Sequence, residues 1–214
     1  MTTKAFAPSE AVTFTNTLNE PSSASVSELE PNLEGAQLFL DQLGPGEEFT
    51  FQTFSDRKKG KGSDPLAATF HGSLDQHGGS LVDINRQGGG AFVMINEGDG
   101  IRHDGAKTCR TNANVKRIRA LFVDLDESPL DPVRRCDLQP SIIVESSADK
   151  YHAYWLVSDW PLEEFRPTQK ELAVRFGGDP SVTDLARVLR LPGFFHQKAE
   201  PFMSRVIFPK RNEQ

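Results

Sequence analysis

Residues 120–126, Ala-Leu-Phe-Val-Asp-Leu-Asp, decide how the rest of the chain is read. Ala120 to Val123 is a short apolar run, and it ends in Asp124-Leu125-Asp126. Such a run predicts a buried β-strand. Residues i and i+2 of a strand share a face, so Asp124 and Asp126 project together from its end. Two carboxylates held that close raise each other's pKa unless a cation lies between them. Mg²⁺ or Mn²⁺, which prefer oxygen ligands, are the natural partners. The plainer alternative is a strand that runs into the polar turn Asp126-Glu127-Ser128-Pro129.

Downstream, Ser141–Val144 and Tyr151–Val157 read as two more strands, joined by the small-residue turn Ser146 to Lys150. That turn delivers His152 near the start of the second strand. Its hydroxyls, Ser147 among them, its amides and the His ring suit a phosphate, although a lone His in a strand is otherwise a structural residue. Leu162 to Phe176 has helical spacing and closes at Gly177-Gly178. Two carboxylates, two arginines, a His and a Lys then fall between Asp179 and Lys198. Val182 to Leu189 predicts a short helix. On it Arg187 and Arg190 share a face at i, i+3, an arrangement that favours an anion between them. The plainer readings are an Asp179-Pro180 helix start and an Asp184–Arg187 pair at i, i+3.

Upstream, Arg102, His103, Lys107, Arg110, Lys116, Arg117 and Arg119 form the most basic stretch of the chain, with a lesser one from Arg57 to Lys61. Further back, the pattern predicts a helix capped by Asn32 and stopped by Gly44-Pro45-Gly46, then strands at Glu48–Phe54 and Leu66–Phe70. Leu74 to Asn85 predicts a helix broken at Gly78-Gly79 and ended by Gly88-Gly89-Gly90. Ala91–Ile95 predicts a strand, and Phe202–Phe208 the last one. Helices and hairpin-like strand pairs in this order indicate α+β with a largely antiparallel sheet. Residues 1–31, rich in Thr, Ser, Ala and Glu, read as a flexible N-terminal arm, with Val12–Phe14 the stretch there that suits an edge strand.

The chain has 214 residues and a formal net charge of -6. That size suits one domain plus an appendage, and the charge excludes a binder that relies on global basicity. No run approaches the ~18 apolar residues of a membrane span, and Met1–Ala11 does not resemble a secretory signal. Cys109 and Cys136 are too few for a disulfide scaffold or a Cys-rich zinc site. The expectation is a soluble cytoplasmic protein.

Taken in order, the three segments resemble the motifs of the archaeo-eukaryotic primase superfamily, in particular the RepB-type primases and primase-polymerases of plasmids and phages. Asp124 and Asp126 match its Asp-x-Asp strand. Ser147 to His152, with Tyr154-Trp155 beyond, match its small-residue turn and His. Asp179 to Lys198 match its third carboxylate followed by a basic Arg-Leu-Pro-Gly stretch. The resemblance implies an RRM-like antiparallel sheet backed by helices, with an N-terminal α/β unit, within a catalytic domain at 32–214. It implies template-directed nucleotidyl transfer on single-stranded DNA, with Asp124, Asp126 and Asp179 holding two Mg²⁺ or Mn²⁺ ions. Asp184 is the alternative third carboxylate; the family spacing favours Asp179 and leaves Asp184 a supporting role. Ser147, His152, Arg187, Arg190, His196 and Lys198 are the expected nucleotide-binding residues. Arg102, Lys107, Arg110, Lys116 and Arg117 are the expected DNA-binding ones. The sequence lacks the superfamily's zinc-binding insertion and any Walker motif, so a separate helicase is the expected partner. The rival readings are a non-catalytic single-strand or origin-binding module and another metal-dependent phosphotransferase or nuclease.

Overall fold

The computed structural model describes residues 29–57, 60 and 62–208. Nearly all of the predicted arm, the strand considered at Val12–Phe14, and Lys58, Lys59 and Lys61 fall outside them. In chain order the elements are α1 (Leu33–Leu43), β1 (Phe49–Ser55), β2 (Ala68–Gly72), α2 (Leu74–Arg86), β3 (Gly89–Met94), β4 (Glu97–Gly98), β5 (Val115–Arg117), β6 (Ala120–Leu125), α3 (Asp131–Arg134), β7 (Ile142–Ser147), β8 (Lys150–Leu156), α4 (Leu162–Phe176), β9 (Val188–Arg190), β10 (Phe195–His196), β11 (Phe202–Met203) and β12 (Arg205–Phe208). They build two four-stranded sheets, ordered β2-β1-β3-β9 and β12-β7-β8-β6. Neighbouring strands in both are antiparallel. The architecture is α+β. No helix among the described residues is long and apolar enough to cross a membrane.

One core joins the two sheets. Phe39 of α1 meets Tyr154 of β8 edge-on at 5.6 Å. Phe51 and Val93 of the first sheet belong to the same buried cluster as Phe122, Val144 and Tyr154 of the second. A second cluster, with Val123, Leu125, Ala153, Trp155 and Phe176, lies on the opposite face of the second sheet. Period-two alternation explains the split: Phe122 and Asp124 share one face of β6, Val123 and Leu125 the other. Asp124 therefore emerges where the inter-sheet core runs out.

Three sequence expectations are corrected. α2 runs unbroken through Gly78-Gly79, because a Ser73–Gln76 capping box starts it and Leu81 and Val82 are buried. Those gains outweigh roughly 1 kcal/mol of lost propensity per glycine. No helix forms at 182–189: that segment is a loop leading into β9, which pairs with β3. The last strand is split at Ser204, whose side chain turns inward to Leu191 and Phe194 carbonyls.

Candidate active site

β6 is an edge strand, and α4 covers that edge. Buried Gln169 accepts from Phe122 N–H and donates to Phe122 C=O, both at 3.0 Å. It thus satisfies backbone groups that an open edge would leave bare. α4 then ends at Gly177, in the left-handed conformation at φ +69°. The chain turns back, and Asp179 N–H donates to Asp124 C=O at 3.0 Å. A Cβ on Gly178 would press into Val123 Cγ2 and lie 3.0 Å from Asp124 O, so only glycine permits this approach. The result brings Asp179 beside Asp124 although 55 positions separate them in the sequence.

On the other side of β6, Asp124 stands opposite His152 of β8. His152 Nε2 lies 3.6 Å from Asp124 Oδ1, and its Nδ1 is 3.2 Å from the buried Tyr154 hydroxyl. Burial pushes the His152 pKa down, against the pull of Asp124, so the ring is neutral near pH 7. Burial also pushes the Asp124 carboxyl up. His152 lowers it in turn, while Asp126 and Asp179 raise it further. Asp124 Oδ1 is buried without a hydrogen-bond partner.

Asp124, Asp126, Ser147, His152, Arg187, Arg190, His196 and Lys198 line one pocket of about 150 Å³, together with Phe92, Ser146, Val188 and Leu189. Asp126 also lines an adjoining pocket with Asp179. Carboxylates and cations both line this pocket. Asp126 leans on Lys150 at 3.4 Å, and the Asp179 carboxylate accepts from Ser181 N–H and Oγ–H at 2.8 and 2.9 Å. Asp179 does not start a helix; it closes a turn with Ser181, two residues on. Among the described residues no three His, Cys, Asp or Glu side chains gather into one ready-made ligand cluster. Asp126 and Asp179 instead take separate partners, and Asp124 Oδ1 has no hydrogen bond, only His152 at 3.6 Å. A bare buried oxygen with two further carboxylates close by is a hard-oxygen donor set that fits Mg²⁺ or Mn²⁺.

Asp184 pairs with Arg187 at 2.5 Å, as the plainer reading expected. Arg187 and Arg190 do not share a helix face. Arg190 is a strand residue of β9, with both terminal nitrogens on Asp56 at 2.6 and 3.3 Å. Asp56 also accepts from Gln197 N–H at 2.7 Å, and so fixes the chain between His196 and Lys198. A Cβ on Gly90 would lie 2.7 Å from both Asp56 and Arg190, so a glycine makes room for the pair. Sequence reasoning missed Asp56 and Phe92, and gave Tyr154 no role beyond its place after the His motif. Asp56 and Phe92 sit in no motif; the alternation of β1, which puts residue 56 on the face of Gln52 and Phe54, was the available signal for Asp56.

The basic stretch divides. Arg102, Lys107 and Arg110 line a groove with Gln52, Phe54 and Thr69 of the first sheet. Arg117 turns away to Glu97 and Glu47 at 2.8 and 2.7 Å, and the neighbouring Lys116 is exposed on β5 without joining the groove. Arg57 binds the carbonyls of Gln197 and Ala199.

The model of the RepB DNA-primase N-terminal domain matches residues 101–207. The chain belongs to this family. Solved structures with the same fold include the AEP domain of the cyanophage S-2L primase-polymerase, at TM-score 0.65 and 20% identity over 83% of this chain and 90% of that one. Primase RepB' follows, at 0.61 and 21% over 81% of this chain and 55% of that one. A third is the catalytic domain of RepB' in complex with initiator DNA, at 0.57 and 18% over 80% and 82%. This RepB-family chain thus spans about half of the RepB' chain it resembles. No curated protein matches it. The family match covers β5 to β11 and the whole carboxylate pocket except Phe92; Asp56, which holds Arg190, also lies outside it.

Proposed function

We propose that residues 32–214 form the catalytic domain of a DNA primase that makes short primers on single-stranded DNA. The observation that carries this reading is the pocket itself. Asp124 and Asp126 line one space of about 150 Å³ together with Arg187, Arg190 and Lys198, and Asp179 shares an adjoining one with Asp126. A nucleoside triphosphate needs that combination, anion-binding groups together with cation-binding groups.

Asp124, Asp126 and Asp179 would hold two Mg²⁺ or Mn²⁺ ions. The chemistry such ions supply when bound is activation of a 3'-hydroxyl and neutralisation of the departing pyrophosphate. The chain's own residues do the positioning, which is most of what phosphoryl-type transfer requires. Lys198, Arg187, Ser147 and His152 meet the triphosphate. Neutral His152 donates to a phosphate oxygen through Nε2, while Nδ1 accepts from the Tyr154 hydroxyl. Arg190 adds positive potential, but its amines are already committed to Asp56. His196 lines the same pocket, and its buried Nε2 has no hydrogen-bond partner. Asp184 orients Arg187 and is no metal ligand. Arg102, Lys107 and Arg110 grip the template, in a salt-sensitive way despite the acidic whole. We place the protein in cytoplasmic plasmid- or phage-type replication beside a separate helicase.

The test is pyrophosphate release from nucleoside triphosphates in Mg²⁺ or Mn²⁺, with and without single-stranded DNA. Release that needs template and yields short oligomers supports the primase. Asp124→Asn and Asp179→Asn should abolish it, whereas Asp184→Asn should keep most of it. Degradation of DNA without triphosphates would indicate a nuclease. Metal-independent DNA binding that survives Asp124→Asn, without product, would indicate a binding module.

A further inference from the structure

Strand register carries one row of side chains from the basic groove to the carboxylate pocket. Thr69 of β2 pairs with Gln52 of β1, Gln52 with Phe92 of β3, and Phe92 with Arg190 of β9. All four lie on one face of the first sheet. Phe54, two residues after Gln52, lies on the same face. Phe51, on the opposite face, is fully buried near α2. The Phe54 and Phe92 rings touch edge to face at 5.7 Å and 65°, and neither is fully buried.

The pair has cations at both ends. Arg110 sits 6.0 Å from the Phe54 ring centre, and Arg190 4.7 Å from that of Phe92. Phe54 lines the groove of Arg102, Lys107 and Arg110. Phe92 lines the pocket of Asp124 and Asp126. Partly exposed phenyl rings between two basic ends are costly as plain surface and well matched to unpaired bases, which stack on aromatic faces while their phosphates meet Arg and Lys.

We propose that this face is a base-stacking platform, on which Phe54 and Phe92 lead single-stranded DNA from the basic groove into the carboxylate pocket. Phe92 takes the base next to the pocket and Phe54 the base behind it, while Arg102, Lys107 and Arg110 hold the phosphates. The charge of the groove and its continuity with the pocket select a single strand: a duplex hides its base faces. The proposal rests on the primase reading for its ligand, but its test needs no catalysis.

The experiment measures fluorescence anisotropy of a labelled single-stranded oligonucleotide, and of an equally long abasic one, without metal or nucleotide. Phe54→Leu and Phe92→Leu keep the apolar volume and remove the aromatic face. Each is expected to weaken binding of the normal strand by ~5- to 100-fold. Each should leave the abasic strand and the salt slope unchanged. Arg110→Gln should weaken both strands alike and reduce the slope by about one. Unchanged binding of the normal strand by both Phe variants overturns the platform. Equal loss on both strands does so too, because the rings would then act only through the fold. A protein that binds bases in this way yet incorporates no nucleotide would refute the primase reading and leave the platform standing.

Discussion

Gly178→Ala tests how the fold brings Asp179 to Asp124. The added Cβ would press into Val123 Cγ2 and lie 3.0 Å from Asp124 O. Val123 is 2% exposed and β-branched, so it has no free rotamer to yield. The backbone at 178 must therefore retreat by about 1 Å to reach ordinary contact. Retreat breaks the 3.0 Å bond from Asp179 N–H to Asp124 C=O and carries the carboxylate with it. Overpacking of this kind costs ~1–3 kcal/mol, or about 2–12 °C in Tm at this chain length. A displacement near 1 Å at a reacting centre costs on the order of 100-fold in rate. Thermal unfolding gives the first quantity, and template-dependent nucleotide incorporation at 25 °C gives the second. Leu81→Ala, at a fully buried position of α2 that lines neither carboxylate pocket, is the control. It should lose ~2–5 kcal/mol while the folded fraction keeps its rate. A Gly178→Ala protein with wild-type Tm and wild-type rate would refute the argument, as would a rate loss no greater than that of the control.

Two further outcomes follow from burial in the same region. Asp56→Asn leaves Arg190 charged and unpaired where the two side chains are 2% and 7% exposed. The expected loss is about 3–5 kcal/mol in urea unfolding, and a loss under about 1 kcal/mol would contradict the pairing. His196 is held down to about 4 from an ordinary 6.5, by burial first and then by Arg190. The unfolded chain therefore takes up a proton that the folded one refuses, and stability falls as pH drops from 6.5 toward 4. His196→Gln should flatten that fall in Tm measured between pH 7 and pH 5; parallel curves for the two proteins would count against it.

Much of this was legible because local patterns and tertiary structure agree. The run from Ala120 to Asp126, the two strands after it and the helix to Phe176 carry unmistakable periods, and each sits where its pattern predicts. Together with the segment from Asp179 to Lys198, their motifs name eight of the twelve residues that line the pocket. Segment 182–189 was misread for a physical reason. Val182, Leu185, Ala186 and Leu189 have helical spacing, yet pairing of β9 with β3, nearly a hundred positions earlier, decides its conformation. No local signal reports such a pairing. The same pairing turns Arg190 toward Asp56, so their ion pair was invisible. The ion pairs of Arg117 were not legible because its partners Glu47 and Glu97 are remote or unremarkable in the sequence. The approach of Asp179 to Asp124 was equally hidden, because the lack of a side chain at Gly178 matters only once Val123 stands against it.

The most direct test of the carboxylate site is a crystal of the protein soaked with Mn²⁺ and a nucleoside triphosphate, read by anomalous scattering. The account predicts a manganese peak within about 2.0–2.6 Å of carboxylate oxygens of Asp124 and Asp126, with Asp179 completing the set and Asp184 still on Arg187. A peak bound through Asp184, or nucleotide density away from Asp124 altogether, would contradict it.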